Sequence, residues 1–102
     1  MDPAIDIMPD FEGKAVTFYL TNVSPDCAST LDSPRFELHA GRLFAVGYSV
    51  SSNANDWTAG AYVCVAWDQV SYYIVFDSAE DFAVRVAMFP RGRGILGLFG
   101  FG

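Results

Sequence analysis

The chain has 102 residues and sets 12 acidic against 6 basic side chains, a formal net charge of −6. That sign disfavours a grip on the phosphate backbone of nucleic acid, where Lys and Arg supply most of the affinity, and it repels an anionic membrane surface. With 52% hydrophobic residues the chain can build one core, yet its apolar runs of about five to eight residues are too short to cross a bilayer as a helix.

Residues 1–13 hold two prolines, four acids and a closing glycine, and read as an arm leading into the fold. Acids stand where a secretory leader carries basic residues, so the expectation is a cytoplasmic protein without a signal peptide. Lys14 to Thr21 then alternates. Val16, Phe18 and Leu20 point one way, while Ala15, Thr17, Tyr19 and Thr21 point the other, which predicts a strand with one apolar face.

Residues 22–34, with two prolines and several hydroxyl side chains, read as a loop long for a compact domain. Arg35–His39 and Arg42–Val50 flank Ala40-Gly41, a pair that predicts a tight hairpin. Gly47 stands on the face opposite Phe44, Val46, Tyr48 and Val50 and marks a bulge or bend.

Residues 51–60 form a polar loop carrying Trp57. The nearly unbroken apolar run Ala61–Trp67 predicts a strand buried on both faces. After a turn at Asp68-Gln69, Val70–Phe76 predicts another strand, with Val70, Tyr72, Ile74 and Phe76 on one face and Ser71, Tyr73 and Val75 on the other.

The stretch from Asp77 to Phe89 carries two periodicities. Asp77 with Glu80, or Ser78 with Asp81, fits a helix cap, and Ala79, Phe82, Val86 and Phe89 then share a stripe. Phe82, Val84, Val86 and Met88 also alternate as a strand would. The capping pattern favours a short helix, which Pro90 ends.

Five strands and one short helix predict a mainly β fold. One short helix cannot cover five strands, so the first expectation is a small antiparallel, strongly curled sheet, or a barrel of SH3-like or Sm-like size. The alternative is an α+β open sheet with the helix packed on it. The domain plan is an arm over 1–13, one β-rich domain over 14–90 and a Gly-rich apolar tail over 91–102.

Chemistry-bearing residues are sparse. The lone histidine, His39, shares a strand face with Glu37 and is the one candidate general base near neutral pH. There is no Gly-x-Ser-x-Gly elbow and no phosphate loop, and the tail glycines neither follow a strand nor open a helix. Cys27, in a polar stretch, and Cys64, in an apolar one, read as an exposed and a buried free thiol, and with one histidine they make no zinc pattern. Neighbouring Glu80 and Asp81 diverge on a helix and serve capping better than metal binding, and Asn53, Asn55 and Asp56 lack the spacing of a calcium loop. No cofactor is expected.

Contact residues are better represented. Trp57 in its loop, together with Tyr19 and Tyr73 if both lie on outer strand faces, would form an aromatic patch. In the tail, Ile95, Leu96, Leu98, Phe99 and Phe101 are large apolar groups that gain by docking on this chain's own sheet or a neighbour's. The leading expectation is therefore a non-catalytic protein-interaction or self-association module whose partner is itself as a homo-oligomer, with no nucleic acid and no membrane. One alternative is a small ligand-binding or hydrolase-like barrel using His39, Glu37 and Asp68. Another is an acidic inhibitor mimicking nucleic acid.

Overall fold

The structure, a computed structural model, describes residues 7–50 and 58–88. Its strands are β1 Ala15–Leu20, β2 Ser29–His39, β3 Arg42–Ser49, β4 Tyr62–Ala66 and β5 Val70–Phe76, followed by helix α1, Ala79–Met88. Short 3-10 helices lie at Pro25–Cys27 and Trp67–Gln69. The strands form one antiparallel sheet in the order β4-β3-β2-β1-β5. No helix among the described residues is long and apolar enough to cross a membrane.

The fold is mainly β, with one short helix near the C-terminal end, as the residue pattern predicts. The sheet itself is neither closed nor strongly curled, which corrects the barrel expectation and favours the open form. β4 and β5 are its two edges and share no ladder. The link between them is three residues long, so their ends converge there without pairing. Side chains fill that end. The Trp67 indole meets Phe36, Tyr73 and Phe18 with ring centroids 5.0, 5.8 and 6.4 Å away.

An open sheet needs cover on both faces, and the chain supplies it from its two flanks. On one face Val16, Phe18, Leu31, Phe36, Ala45 and Val65 form the core together with Phe11. Phe11 belongs to the segment that reads as an arm in the sequence. It is buried, with its ring against Tyr73, Phe36 and Phe18 at 5.4, 6.1 and 6.3 Å. On the other face Ala15 and Thr17 are buried, and α1 sets the buried ring of Phe82 on Phe76, the ladder partner of Ala15, at 5.2 Å. The Thr17 and Thr30 hydroxyls hydrogen-bond there at 2.6 Å.

The helix start follows the Ser78/Asp81 pattern. The Ser78 hydroxyl accepts the Asp81 amide at 3.0 Å, and the Asp81 carboxylate accepts the Asp77 amide at 3.2 Å. Arg85, one turn on, pairs with Asp81 at 3.2 Å. The hairpin at Ala40-Gly41 also forms, with φ of 54° and 82°, the two left-handed residues that a primed turn requires.

β2 is longer than its sequence suggests. Its first half, read as loop, pairs with β1 from Ser29 to Asp32. Against β3 the register jumps between Asp32 and Arg35, so Ser33 and Pro34 stand opposite the single residue Gly47. Ser33 takes φ of 47° there and donates its amide to the Lys14 carbonyl at 2.7 Å. The bulge lets a proline sit inside a central strand, and it lies so close that a side chain at Gly47 would meet the Asp32 carbonyl at 3.2 Å. β4 corrects a second expectation. It is an edge with only Val65 buried, and Cys64 is exposed like Cys27.

Candidate functional site

Two surfaces gather the residues to which function is open. The first is a polar network built by strand alternation. β2 places Arg35, Glu37 and His39 at every second position on one face, and β3 carries Tyr62 of β4 to the same side two strands away. Glu37 is the hub. Its carboxylate meets His39 Nε2 at 3.0 Å and accepts from Arg35 Nε at 3.0 Å and from the Tyr62 hydroxyl at 3.2 Å. Arg35 Nη2 also donates to the Tyr62 hydroxyl at 3.1 Å. The His39 ring stacks on Phe44 at 5.0 Å. Asp68, grouped with His39 and Glu37 in the sequence reading, pairs with Arg42 at 2.9 Å instead.

The electrostatics of this network hold it at rest. The hydrogen bond with His39, then the Arg35 guanidinium and the Tyr62 hydroxyl, keep the Glu37 carboxyl below its ordinary range. Loss of solvent around Tyr62 pushes its phenol up. Both shifts favour the charge states these groups already have at neutral pH, whereas acid–base chemistry needs a pKa moved toward neutrality. The network acts as a clasp joining β2 to β4 across β3. Among the described residues no group of three or more His, Cys, Asp or Glu side chains is placed to hold a metal ion.

The second surface is the free edge of β5. β1 pairs with one side of this strand, and no described strand pairs with the other. Its sequence, Val-Ser-Tyr-Tyr-Ile-Val-Phe, contains neither charge nor proline. Four consecutive large side chains are open to solvent: Tyr72 at 54%, Tyr73 at 38%, Ile74 at 41% and Val75 at 46%. Edge strands normally carry lysine, proline or a bulge that blocks further pairing; β5 has neither lysine nor proline, and its bulge, at Ser71, lies at the start of the strand, before Tyr72 to Val75.

The tyrosines divide between the faces. Tyr19 lies on the helix side and stacks on Tyr72 at 4.4 Å. Tyr73 pairs with Phe18 in the ladder and turns its ring to the core side, against Phe11 and Trp67. The patch expected from Tyr19 and Tyr73 on a common outer face therefore does not form. The residues that sequence reasoning passed over are Tyr72, Ile74 and Val75. Their signal was the uncharged β-branched and aromatic run beside an acidic chain. Trp57 and the tail residues Ile95, Leu96, Leu98, Phe99 and Phe101 lie outside the described residues. Comparison with protein-family models, with curated proteins and with solved structures finds no match for this chain.

Proposed function

We propose that this protein is a non-catalytic protein-interaction module that receives an extended polypeptide on the free edge of β5. The observation that carries the reading is the run of exposed, uncharged residues Tyr72 to Val75, regularly paired to β1 and without lysine or proline, on an edge strand. Strand addition draws affinity from main-chain hydrogen bonds and selectivity from alternate side chains. The exposed edge offers both. The exposed free thiols of Cys27 and Cys64 fit a reducing, cytoplasmic setting for this role.

The test is selection of random heptapeptides on the full chain at high dilution, followed by amide shift mapping by NMR. Retained peptides are expected to perturb residues 70–76 and to lose binding to the Ile74→Lys protein. Peptides that map instead to Arg35, Glu37 and Tyr62 would overturn the reading.

A further inference from the structure

The strand-addition reading leaves the incoming strand unnamed, and the inference here rests on that reading. We infer that the occupant is a segment of a partner protein that runs antiparallel to β5, with Lys or Arg leading a short run of β-branched and aromatic residues.

The bulge fixes where such a segment lies. β5 pairs with β1 in one register from Phe76 back to Tyr72, and the pairing then slips at Ser71. A regular added strand is therefore confined to Tyr72 to Phe76, at the C-terminal end of β5. Within that run Tyr72 and Phe76 lie on the helix side with Ile74 between them, and Tyr73 turns to the core side with Val75. Both sides are apolar, so β-branched or aromatic side chains suit successive positions of the ligand. Every ladder of the sheet is antiparallel, and antiparallel pairing is the more stable per residue, which sets the direction.

Charge sets the flank. The regular run ends directly against Asp77, whose side chain is 93% exposed and stands 3.8 Å from Lys14. Glu80, exposed in the first turn of α1, makes no ion pair among the described residues, while Asp81 beside it pairs with Arg85. Asp10 and Glu12, both exposed, flank Phe11 in the turn that closes on Lys14, just before β1 begins opposite Phe76. Acids thus outnumber the bases Lys14 and Arg85 at this end. At the bulged end Asp68 is already matched by Arg42 at 2.9 Å. The residues that precede the run of an antiparallel ligand extend past Phe76 toward Asp77 and Glu80, so its bases belong on the N-terminal flank. The net charge of −6 draws such a segment in and repels a second copy of the chain.

The experiment titrates the full chain with three end-blocked heptapeptides by calorimetry at low and high salt, with amide shifts followed by NMR. The first is Arg-Lys-Val-Thr-Val-Tyr-Val. The second moves Arg-Lys to the C-terminal end, and the third replaces Arg-Lys with Glu-Glu. The first peptide should bind about threefold to tenfold more tightly than the second and about tenfold or more above the third. Its affinity should fall as salt rises, and its shifts should centre on Tyr72 to Phe76. The Asp77→Asn, Glu80→Gln protein should lose most of the preference, and the Ile74→Lys protein should lose binding. Equal affinities, with shifts still at Tyr72 to Phe76, would overturn the basic-led ligand and leave strand addition standing. Tightest binding by the second peptide would overturn the assigned flank. A chain that sediments as a dimer and takes none of the three would overturn the inference in favour of a second copy. Peptides that bind with no shift across residues 70–76 would overturn strand addition itself.

Discussion

Tyr19 and Tyr72 stack with ring centroids 4.4 Å apart and planes within 8° of parallel, as direct ladder partners on the helix side of the sheet. The stack pins β5 to β1 next to a register shift, since the pairing slips between Tyr19 and Leu20. A Tyr19→Ala, Tyr72→Ala double-mutant cycle read by urea denaturation should give a coupling of about 0.5–1 kcal/mol. Additive losses would show that the stack holds nothing together.

Gly47 is expected to resist substitution although its φ is ordinary. A Cβ there meets the Asp32 carbonyl at 3.2 Å and the Leu31 Cβ and Pro34 Cα at 3.4 Å. These atoms belong to a bulge tied to β1 through the Ser33–Lys14 hydrogen bond, so they cannot easily retreat. Gly47→Ala should cost about 1–3 kcal/mol, measured as a lower midpoint in urea. An unchanged midpoint would mean the bulge yields freely.

The Thr17–Thr30 hydrogen bond lies between two buried side chains. Thr17→Val strands the Thr30 hydroxyl and should cost about 1–3 kcal/mol. Replacing both threonines with valine removes the stranded group, so the double variant should lose less than the two single losses combined. Thermal denaturation of the four proteins checks this.

Acid should loosen the β2–β4 clasp with a defined sign. The folded state lowers the Glu37 pKa, chiefly through its hydrogen bond with His39. Its contribution is present above the ordinary glutamate pKa and is lost as pH falls through the depressed folded value. The stability gap between the wild-type protein and Glu37→Gln should therefore narrow on acidification across that window. A gap that widened would reverse the assigned direction.

Local signals in the sequence told true where local chemistry decides the outcome. The alternation in β1, the Ala40-Gly41 turn and the Ser78/Asp81 cap all appear as the residues predict, whereas in β5 the alternation holds only from Tyr72 to Phe76, because a bulge at Ser71 turns Val70 to the core face, opposite Tyr72, Ile74 and Phe76. What the sequence concealed depends on partners far along the chain. Pro34 reads as a loop residue, and only the bulge opposite Gly47 admits it to a strand. Phe11 sits in a proline-containing lead-in, and its burial depends on the open core face beneath it. Cys64 lies in an apolar run that suits an interior strand equally well, and the strand order makes it an edge. Tyr73 alternates as expected, yet its pairing with Phe18 decides that its face is the core one.

Amide hydrogen exchange over Val70 to Phe76, followed by NMR as a selected heptapeptide is added to the protein, tests strand addition on β5 most directly. Before addition the amides that β1 leaves free should exchange rapidly. With peptide bound those same amides should become protected while the ones bonded to β1 stay as they were. Free amides that exchange equally fast with and without the peptide would contradict strand addition on β5.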